Sequence, residues 1–288
     1  MRVAAPYIAL MKLRVVELLL VTTLPALFLA SHGLPPLGIS IATLIGGTLA
    51  AGAANAFNMV IESDSDRLMG RTAHRPIANK DISEGHALAF AFSITLISMA
   101  IMFTFTNLLA TGLTISAITY YVFIYTIALK RRTSQNIVWG GIAGCFPVVI
   151  GWSAVTGSLS AQSLWFFLLI FFWTPPHFWA LAIKYKDDYE AAGIPMLPVV
   201  ATQKNVSTQM WFHTLSMAAT SFIVLHSAGF PKVFYIVNFL LNLFFIWLMV
   251  QMRGEKIQIE KAAIKIFHGS ITYLTLFSLM LILGAFYV

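Results

Sequence analysis

The sequence is poor in charge and nearly free of cysteine. Only 10% of its 288 residues are charged and 59% are hydrophobic, whereas about 25% of the residues of a soluble domain are charged. So few charges cannot cover a water-facing surface, and most of the surface must therefore face lipid. The single cysteine, Cys145, lies in an apolar stretch and can form neither an internal disulfide nor a cysteine cluster for a metal.

Long apolar runs take the place of the missing charge. The alternation of polar and apolar residues that marks strands is absent, and an open sheet cannot lie in lipid. Each run is about long enough to cross a bilayer of about 30 Å as a helix. We predict an all-α, polytopic membrane protein in which residues 1–288 form one domain with about nine transmembrane helices. The predicted spans are 15–31, 37–58, 86–106, 108–129, 136–156, 163–184, 209–227, 231–251 and 264–287.

The basic residues predict how the chain lies in the membrane. Of the 18 lysines and arginines, all except Lys232 fall before the first span or in every second loop, and this count includes Arg2, Arg253 and Lys256. Basic residues favour the cytoplasmic side, so we expect a cell-membrane protein with a cytoplasmic N-terminus and an extracytoplasmic C-terminus. The formal net charge of +7 is then a topology signal and implies no nucleic acid. The two longest loops lie on the cytoplasmic side, where we expect the chemistry.

The first polar motif is N-M-V-I-E-S-D-S-D, from Asn58 to Asp66. On a continuous helix, Asn58, Glu62 and Asp66 lie within about 80° of arc, while Asp64 points elsewhere. Oxygen side chains on one stripe suit a hard cation such as Mg²⁺. The alternative, strongest for Asp64 and Asp66, is a solvated helix end.

The second motif is W-T-P-P-H-F-W-A-L-A-I-K-Y-K-D-D-Y, from Trp173 to Tyr189. On a continuous helix, His177, Lys184 and Asp188 would fall within about 40° of one another. Ionisable residues inside spans are expensive and are often functional. The alternatives are a surface ion pair between Lys184 and Asp188 and a histidine that only packs between helices.

Basic residues follow the acidic motifs. Arg71 and Arg75 lie one helical turn apart, and K-R-R begins at Lys130 after the fourth span. Each group alone is an ordinary product of membrane topology. Together with two acidic clusters, they predict a diphosphate site in which a metal ion bridges the oxygens and guanidinium groups bind them.

The pattern N-x-x-x-E/D-x-x-x-D, followed by a second Asp cluster, resembles the UbiA-type intramembrane prenyltransferase superfamily. Longer strings, among them K-R-R-T-S-Q-N-I-V-W-G-G and W-T-P-P-H-F-W, are similar to the heme O synthases (protoheme farnesyltransferases). The similarity extends from Y-I-A-L-M-K-L-R to F-H-G-S-I-T-Y-L. Glu62 stands where that family usually has Asp. Leu13 stands at a place where that family usually has the sequence Lys-Pro-Arg.

This resemblance implies that farnesyl diphosphate and heme B react in the lipid bilayer, in the presence of Mg²⁺, to give heme O and diphosphate. Possible further partners are heme A synthase and terminal oxidase assembly. The expected metal ligands are Asn58, Glu62, Asp64, Asp66 and Asp188. The expected diphosphate ligands are Arg71, Arg75, Lys130, Arg131 and Tyr189. The expected catalytic residues are Asn58, Glu62, Asp66, Lys184 and Asp188. The expected heme contacts are His177, Trp173 and Trp179.

Three other functions stay open at this point. A prenyltransferase for quinone precursors would share the two acidic motifs, but not the T-P-P-H-F-W string. A transporter would more often have paired broken helices near the midplane of the membrane. A structural heme or assembly protein would not need two acidic clusters beside basic ones.

The distribution of basic residues predicts the side of the membrane on which the chain ends. A reporter that is active only outside the cytoplasm should be active when it is fused after Val288. Activity of a cytoplasm-only reporter at the same position would overturn the predicted orientation.

Overall fold

The computed structural model describes residues 4–252 and 256–288, which form helices joined by short loops. Arg2 and Arg253 lie outside the described residues, and the side chain of Lys256 is not described. No strand occurs within the described ranges, so the all-α prediction is confirmed. The helices are α1 (Ala4–Leu10), α2 (Leu13–Ala30), α3 (Leu37–Ile61), α4 (Ser63–Leu68), α5 (Glu84–Phe105), α6 (Leu108–Thr119), α7 (Asn136–Gly140), α8 (Phe146–Thr156), α9 (Ala161–Lys184), α10 (Lys186–Ala191), α11 (Leu197–Val200), α12 (Gln203–Ser227), α13 (Lys232–Val250) and α14 (Lys256–Gly284).

Eight helical segments of the described chain are long and apolar enough to cross a membrane. They correspond to all of the predicted spans except 209–227. That region belongs to α12, which is 25 residues long but begins with the polar run Q-K-N-V-S-T-Q and is less apolar than the others. The chain is therefore a multi-pass membrane protein, while the ninth span stays a prediction.

Small residues let α3 lie close to α5. Ser98 Oγ donates a hydrogen bond to the Gly46 carbonyl at 2.7 Å. A Cβ atom added at Gly46 would lie 2.7 Å from Met102 Sδ, so a larger residue would displace the Met102 side chain from this contact. Close contact through small residues is the usual way in which helices associate in lipid.

A π-helix, Tyr120–Leu129, continues α6. Its wider turn is seen where the Lys130 N–H donates to the Tyr125 carbonyl, five residues earlier, at 2.9 Å. Short π-helical segments are rare and frequently occur at functional sites. This one ends immediately before Lys130, where a helical segment long and apolar enough to cross a membrane also ends.

Both predicted polar stripes are interrupted in the structure. Helix α3 ends at Ile61 and α4 begins at Ser63, with Glu62 between them. Helix α9 ends at Lys184, because Tyr185 leaves the helical conformation with φ −108° and ψ 31°. The predicted alignment of His177, Lys184 and Asp188 on one continuous helix is therefore wrong.

The loops 62–83 and 185–196 meet at one end of the bundle, which we call the charged end. The contact is made by the backbone N–H of Arg71, which donates to Asp188 Oδ2 at 3.1 Å. The large apolar core is formed by α2, α8, α9, α12, α13 and α14.

Candidate active site

Three of the predicted oxygen donors are buried together at the charged end. Asn58, Glu62 and Asp66 are only 2%, 3% and 3% exposed. Although the helix breaks at Glu62, the backbone bonds Glu62 N to Asn58 O, at 3.0 Å, and Asp66 N to Glu62 O, at 2.8 Å, keep the three residues on successive turns. The three residues therefore stay on successive turns, although the continuous helix assumed for their stripe is interrupted at Glu62.

Each of the two buried carboxylates contacts a cation. Lys130 Nζ donates to Glu62 Oε2 at 2.6 Å. Arg75 Nη1 donates to both oxygens of Asp66, each at 2.7 Å. A buried carboxylate without such a partner would be strongly destabilising, so these pairs make burial of the acids possible.

Lys12 is part of the same cluster, although its position in the sequence indicated only the topology of the chain in the membrane. Its Nζ donates to Asn58 Oδ1 at 2.7 Å, while Asn58 Nδ2 donates to Thr126 Oγ1 in the π-helix at 3.2 Å. The amide of Asn58 is thus held from both sides. The position of Lys12 directly before the first span was the only signal in the sequence, and it is shared with many topology-setting lysines.

The pKa values of Glu62 and Lys12 are both lowered, but for different reasons. Burial alone would raise the pKa of Glu62, but Lys130 and Lys12 outweigh it, and the pKa lies below its usual value. The pKa of Lys12 lies well below its usual value, because burial desolvates the ammonium and Arg75 repels it, although Glu62 and Asp66 oppose this shift. Burial of the ammonium is therefore the main cause of the shift at Lys12, and the nearby carboxylates do not offset it.

The second acidic cluster is joined to the first by the loop after α4. Besides the Arg71 N–H to Asp188 bond, Arg71 Nη2 donates to the Tyr189 hydroxyl at 3.4 Å. The guanidinium lies over the rings of Tyr185 and Tyr189, at 5.3 and 5.9 Å from their centroids. Its Nε atom is buried without a hydrogen-bond partner. This donor is available to an anion that enters between the two clusters.

Arg131 also reaches the first cluster, where its Nη2 donates to Ser65 Oγ at 2.9 Å. Each of the five predicted diphosphate ligands thus contacts one of the two acidic loops or belongs to it. These ligands are Arg71, Arg75, Lys130, Arg131 and Tyr189.

Two predicted site residues lie apart from this cluster. The side chain of Asp64 is 88% exposed and pairs with Arg67 at 3.1 Å. The short helix α4 turns it away from Asn58, Glu62 and Asp66. Lys184 is exposed at the end of α9, and its Nζ lies 5.2 Å from the ring centroid of Tyr185.

The three expected heme contacts are enclosed among helices. His177 Nδ1 lies 2.7 Å from Ser270 Oγ, and its ring stacks between Trp173 and Phe267 at centroid distances of 4.3 and 4.7 Å. Trp173 Nε1 donates to the Ser270 carbonyl at 2.9 Å. Trp179 is fully buried. His177 and Trp173 thus pack α9 against α14, whereas the ring of Trp179 contacts His213 on α12. Packing between helices was the open alternative for His177.

The donors fit Mg²⁺ through their chemistry. Within 4–252 and 256–288, no three histidine, cysteine, aspartate or glutamate side chains converge as a preformed metal cage. Mg²⁺ seldom needs one, because it takes one or two carboxylates and completes its shell with water and phosphate oxygens. Glu62, Asp66 and Asp188, with the amide of Asn58, offer such donors.

The geometry and the sequence define a membrane prenyltransferase. The model of the UbiA prenyltransferase family matches residues 19–286, and the chain belongs to this family. The resemblance found in the sequence is therefore confirmed.

Individual relatives are similar over nearly the whole chain. The protoheme IX farnesyltransferase of a Parafrankia species is 47% identical over 278 residues, which are 95% of this chain and 88% of the relative. That of Pseudarthrobacter chlorophenolicus is 44% identical over 289 residues, covering 99% and 90%.

Solved structures share the fold at low identity. A digeranylgeranylglyceryl phosphate synthase superposes with a TM-score of 0.81 at 15% identity, covering 100% of both chains. A UbiA homologue from Archaeoglobus fulgidus bound to DMAPP and Mg²⁺ has a TM-score of 0.73 at 15% identity, covering 96% of this chain and 99% of the other.

The placement of Asp188 predicts different outcomes for two adjacent residues. Asp188 contacts Arg71, whereas Asp187 is exposed. Asp188→Asn should lower prenyl transfer by roughly a hundredfold, the usual order for losing one electrostatic group at a reacting centre. Asp187→Asn should lower it less than threefold. Equal activity of the two variants, measured as turnover in membranes with matched protein content, would remove Asp188 from the site.

The Lys130–Glu62 pair predicts a stability defect that can be repaired. Lys130→Met leaves Glu62 buried and unpaired, which should cost about 3–5 kcal/mol and lower the unfolding temperature in detergent. The pKa of Glu62, now held below its usual value mainly by Lys130, should rise in this variant. Adding Glu62→Gln should recover part of the lost stability, since it removes the uncompensated charge. A double variant no more stable than Lys130→Met would contradict this.

Proposed function

We propose that the chain transfers the farnesyl group of farnesyl diphosphate to a vinyl group of heme B, giving heme O and diphosphate. The observation that carries the proposal is the 44% identity, over 99% of this chain, to a protein named protoheme IX farnesyltransferase. The cluster of buried acids and bases at the charged end supports it, because this is the chemistry that a prenyl diphosphate needs.

The reaction breaks one C–O bond and the π bond of a vinyl group, and it forms one C–C bond and one new C–O bond. The bond between farnesyl C1 and the diphosphate oxygen breaks, and its electron pair leaves with the diphosphate. C1 joins the terminal carbon of the vinyl group, water adds to the other vinyl carbon, and the proton of that water is released. The product carries a hydroxyethylfarnesyl group in place of one vinyl group.

A divalent cation, when bound, supplies Lewis-acid stabilisation of the negative charge that grows on the leaving diphosphate. Asn58, Glu62, Asp66 and Asp188 would hold it. The A. fulgidus homologue bound to DMAPP and Mg²⁺ supports a metal of this kind.

The chain's own bases provide the rest of the electrostatic stabilisation. Lys130 and Arg75 occupy the carboxylates in the structure, and we propose that they turn to the diphosphate oxygens once the substrate and its metal ion arrive. Arg71, with its unpartnered Nε, needs no such release. Preorganised donors of this kind act most strongly where water is excluded. Arg131 and Tyr189 complete the diphosphate site.

The expected location of the site matches the nature of the substrates. Farnesyl diphosphate and heme B each have a charged part and an apolar part, so a site at the cytoplasmic edge of the cell membrane suits both. We assign no iron-binding role to His177, because Ser270 and two stacked rings already hold it. The farnesylated product stays apolar, and we propose that it passes within the membrane to heme A synthase or to terminal oxidase assembly.

Product analysis tests this function directly. Membranes that contain the protein should convert heme B and farnesyl diphosphate, with Mg²⁺, into a more apolar heme that has gained farnesyl and water and lost one vinyl group. Mass spectrometry identifies the product, and the Asp188→Asn membranes serve as the control. A parallel reaction with an aromatic acid acceptor should give no prenylated product. Prenylation of that acid with unchanged heme B would instead indicate a quinone-precursor enzyme.

A further inference from the structure

The turn between α1 and α2 has an unusual backbone. Lys12 lies in the left-handed region, with φ 50° and ψ 54°. Side chains with a Cβ disfavour this region, and residues held there tend to occur at functional sites. An ordinary topology-setting lysine has no need of such a conformation, so the turn calls for a structural cause.

The cause is that the turn is docked onto one face of α3. Asn55 Nδ2 donates to the Met11 carbonyl at 3.0 Å. One turn earlier, Gly52 leaves room for the Met11 side chain, since a Cβ at this glycine would lie 2.6 Å from Met11 Cε. Asn58, one turn later on the same face, receives Lys12 at 2.7 Å. Three residues of the run A-G-A-A-N-A-F-N therefore hold this turn and its lysine.

No carboxylate among the described residues forms a salt bridge with Lys12. Lys130 contacts Glu62, and Arg75 contacts Asp66. None of the three salt bridges among the described residues includes Lys12, whose hydrogen bond goes to a neutral amide. A docked lysine that faces the acidic cluster without closing an ion pair is well suited to receive an anion.

We propose that Lys12 binds the diphosphate of the prenyl substrate, and that docking of the Met11–Lys12 turn on Gly52 and Asn55 places it there. In the substrate-free protein its ammonium rests on Asn58. When the diphosphate is present, the ammonium donates to a phosphate oxygen and leaves the amide oxygen of Asn58 free. This inference rests on the proposed function only in requiring a prenyl diphosphate, and it is independent of the acceptor.

Two neutral variants separate the charge of Lys12 from its structural role. Lys12→Gln can still donate a hydrogen bond to Asn58, so the turn should stay in place while the charge is lost. Lys12→Met removes both. Lys204→Met is the matched control, because Lys204 is an exposed lysine outside the cluster.

The probe is farnesyl thiodiphosphate, which is unreactive, and its binding to the detergent-solubilised protein is measured by calorimetry with Mg²⁺ and without heme. Both Lys12 variants should bind it about tenfold more weakly than the wild type, as expected for loss of one charge-assisted hydrogen bond. Lys204→Met should bind within twofold of the wild type. Binding of Mn²⁺ alone is measured by electron paramagnetic resonance. Both Lys12 variants should bind Mn²⁺ at least as tightly as the wild type does.

Each outcome decides the proposal. Thiodiphosphate binding by Lys12→Gln within twofold of the wild type would overturn it, since the charge would then be unnecessary. An equal loss of Mn²⁺ and thiodiphosphate binding would also overturn it, because Lys12 would then act only by orienting Asn58. Failure of the function itself has a different signature: the wild type would not bind the probe, or it would bind the probe and leave heme B unchanged.

Discussion

Burial of two carboxylates beside their cations is the interaction on which this structure depends. Glu62 and Asp66 are each 3% exposed and lie at the edge of a bundle whose body faces lipid. Charges can stay in such a place only when they are paired and hydrogen-bonded. Lys130 and Arg75 meet this requirement at 2.6 and 2.7 Å. The substrate-free protein is thus stabilised by the same groups that a metal diphosphate would bind.

The irregular elements of the fold serve this arrangement. The break at Glu62 lets the chain turn from α3 into the loop that carries Arg71 and Arg75, and that loop reaches Asp188 on the other side of the site. The π-helix ends immediately before Lys130 and also supplies Thr126, which holds the amide of Asn58. Regular helices form the lipid-facing body, whereas the residues with chemistry lie where regular structure stops.

The sequence predicted the fold class and the chemistry because apolar length and donor type are local properties. Asn58, Glu62 and Asp66 could be identified from their spacing, and four-residue backbone bonds preserve that spacing through the break. The spacing also indicated that Asp64 points away from this stripe, and its side chain is 88% exposed. The exposure of Lys184 could not be predicted, because the alignment assumed a continuous helix and α9 ends at this residue. The span 209–227 stays a prediction, because the structure includes it in the longer helix α12, whose polar first turns lower its mean hydropathy.

Lys12 and His177 show the other limit of sequence reasoning. Lys12 is separated from Asn58 by 46 residues, and His177 from Ser270 by 93 residues. A local sequence pattern cannot predict contacts between residues that are so far apart along the chain. A lysine before a span therefore looked like a topology signal, and a histidine inside a span looked functional, although the structure places the lysine in the site and the histidine in the packing.

The central claim is that the buried acids exchange their protein cations for a metal ion while those cations turn to the diphosphate. An experimental structure with Mg²⁺ and farnesyl thiodiphosphate would test it most directly. In that complex we expect the Lys130–Glu62 and Arg75–Asp66 contacts, now 2.6 and 2.7 Å, to lengthen beyond hydrogen-bonding distance while both bases contact phosphate oxygens. A complex in which the two pairs keep their present distances, with the diphosphate bound elsewhere, would contradict it.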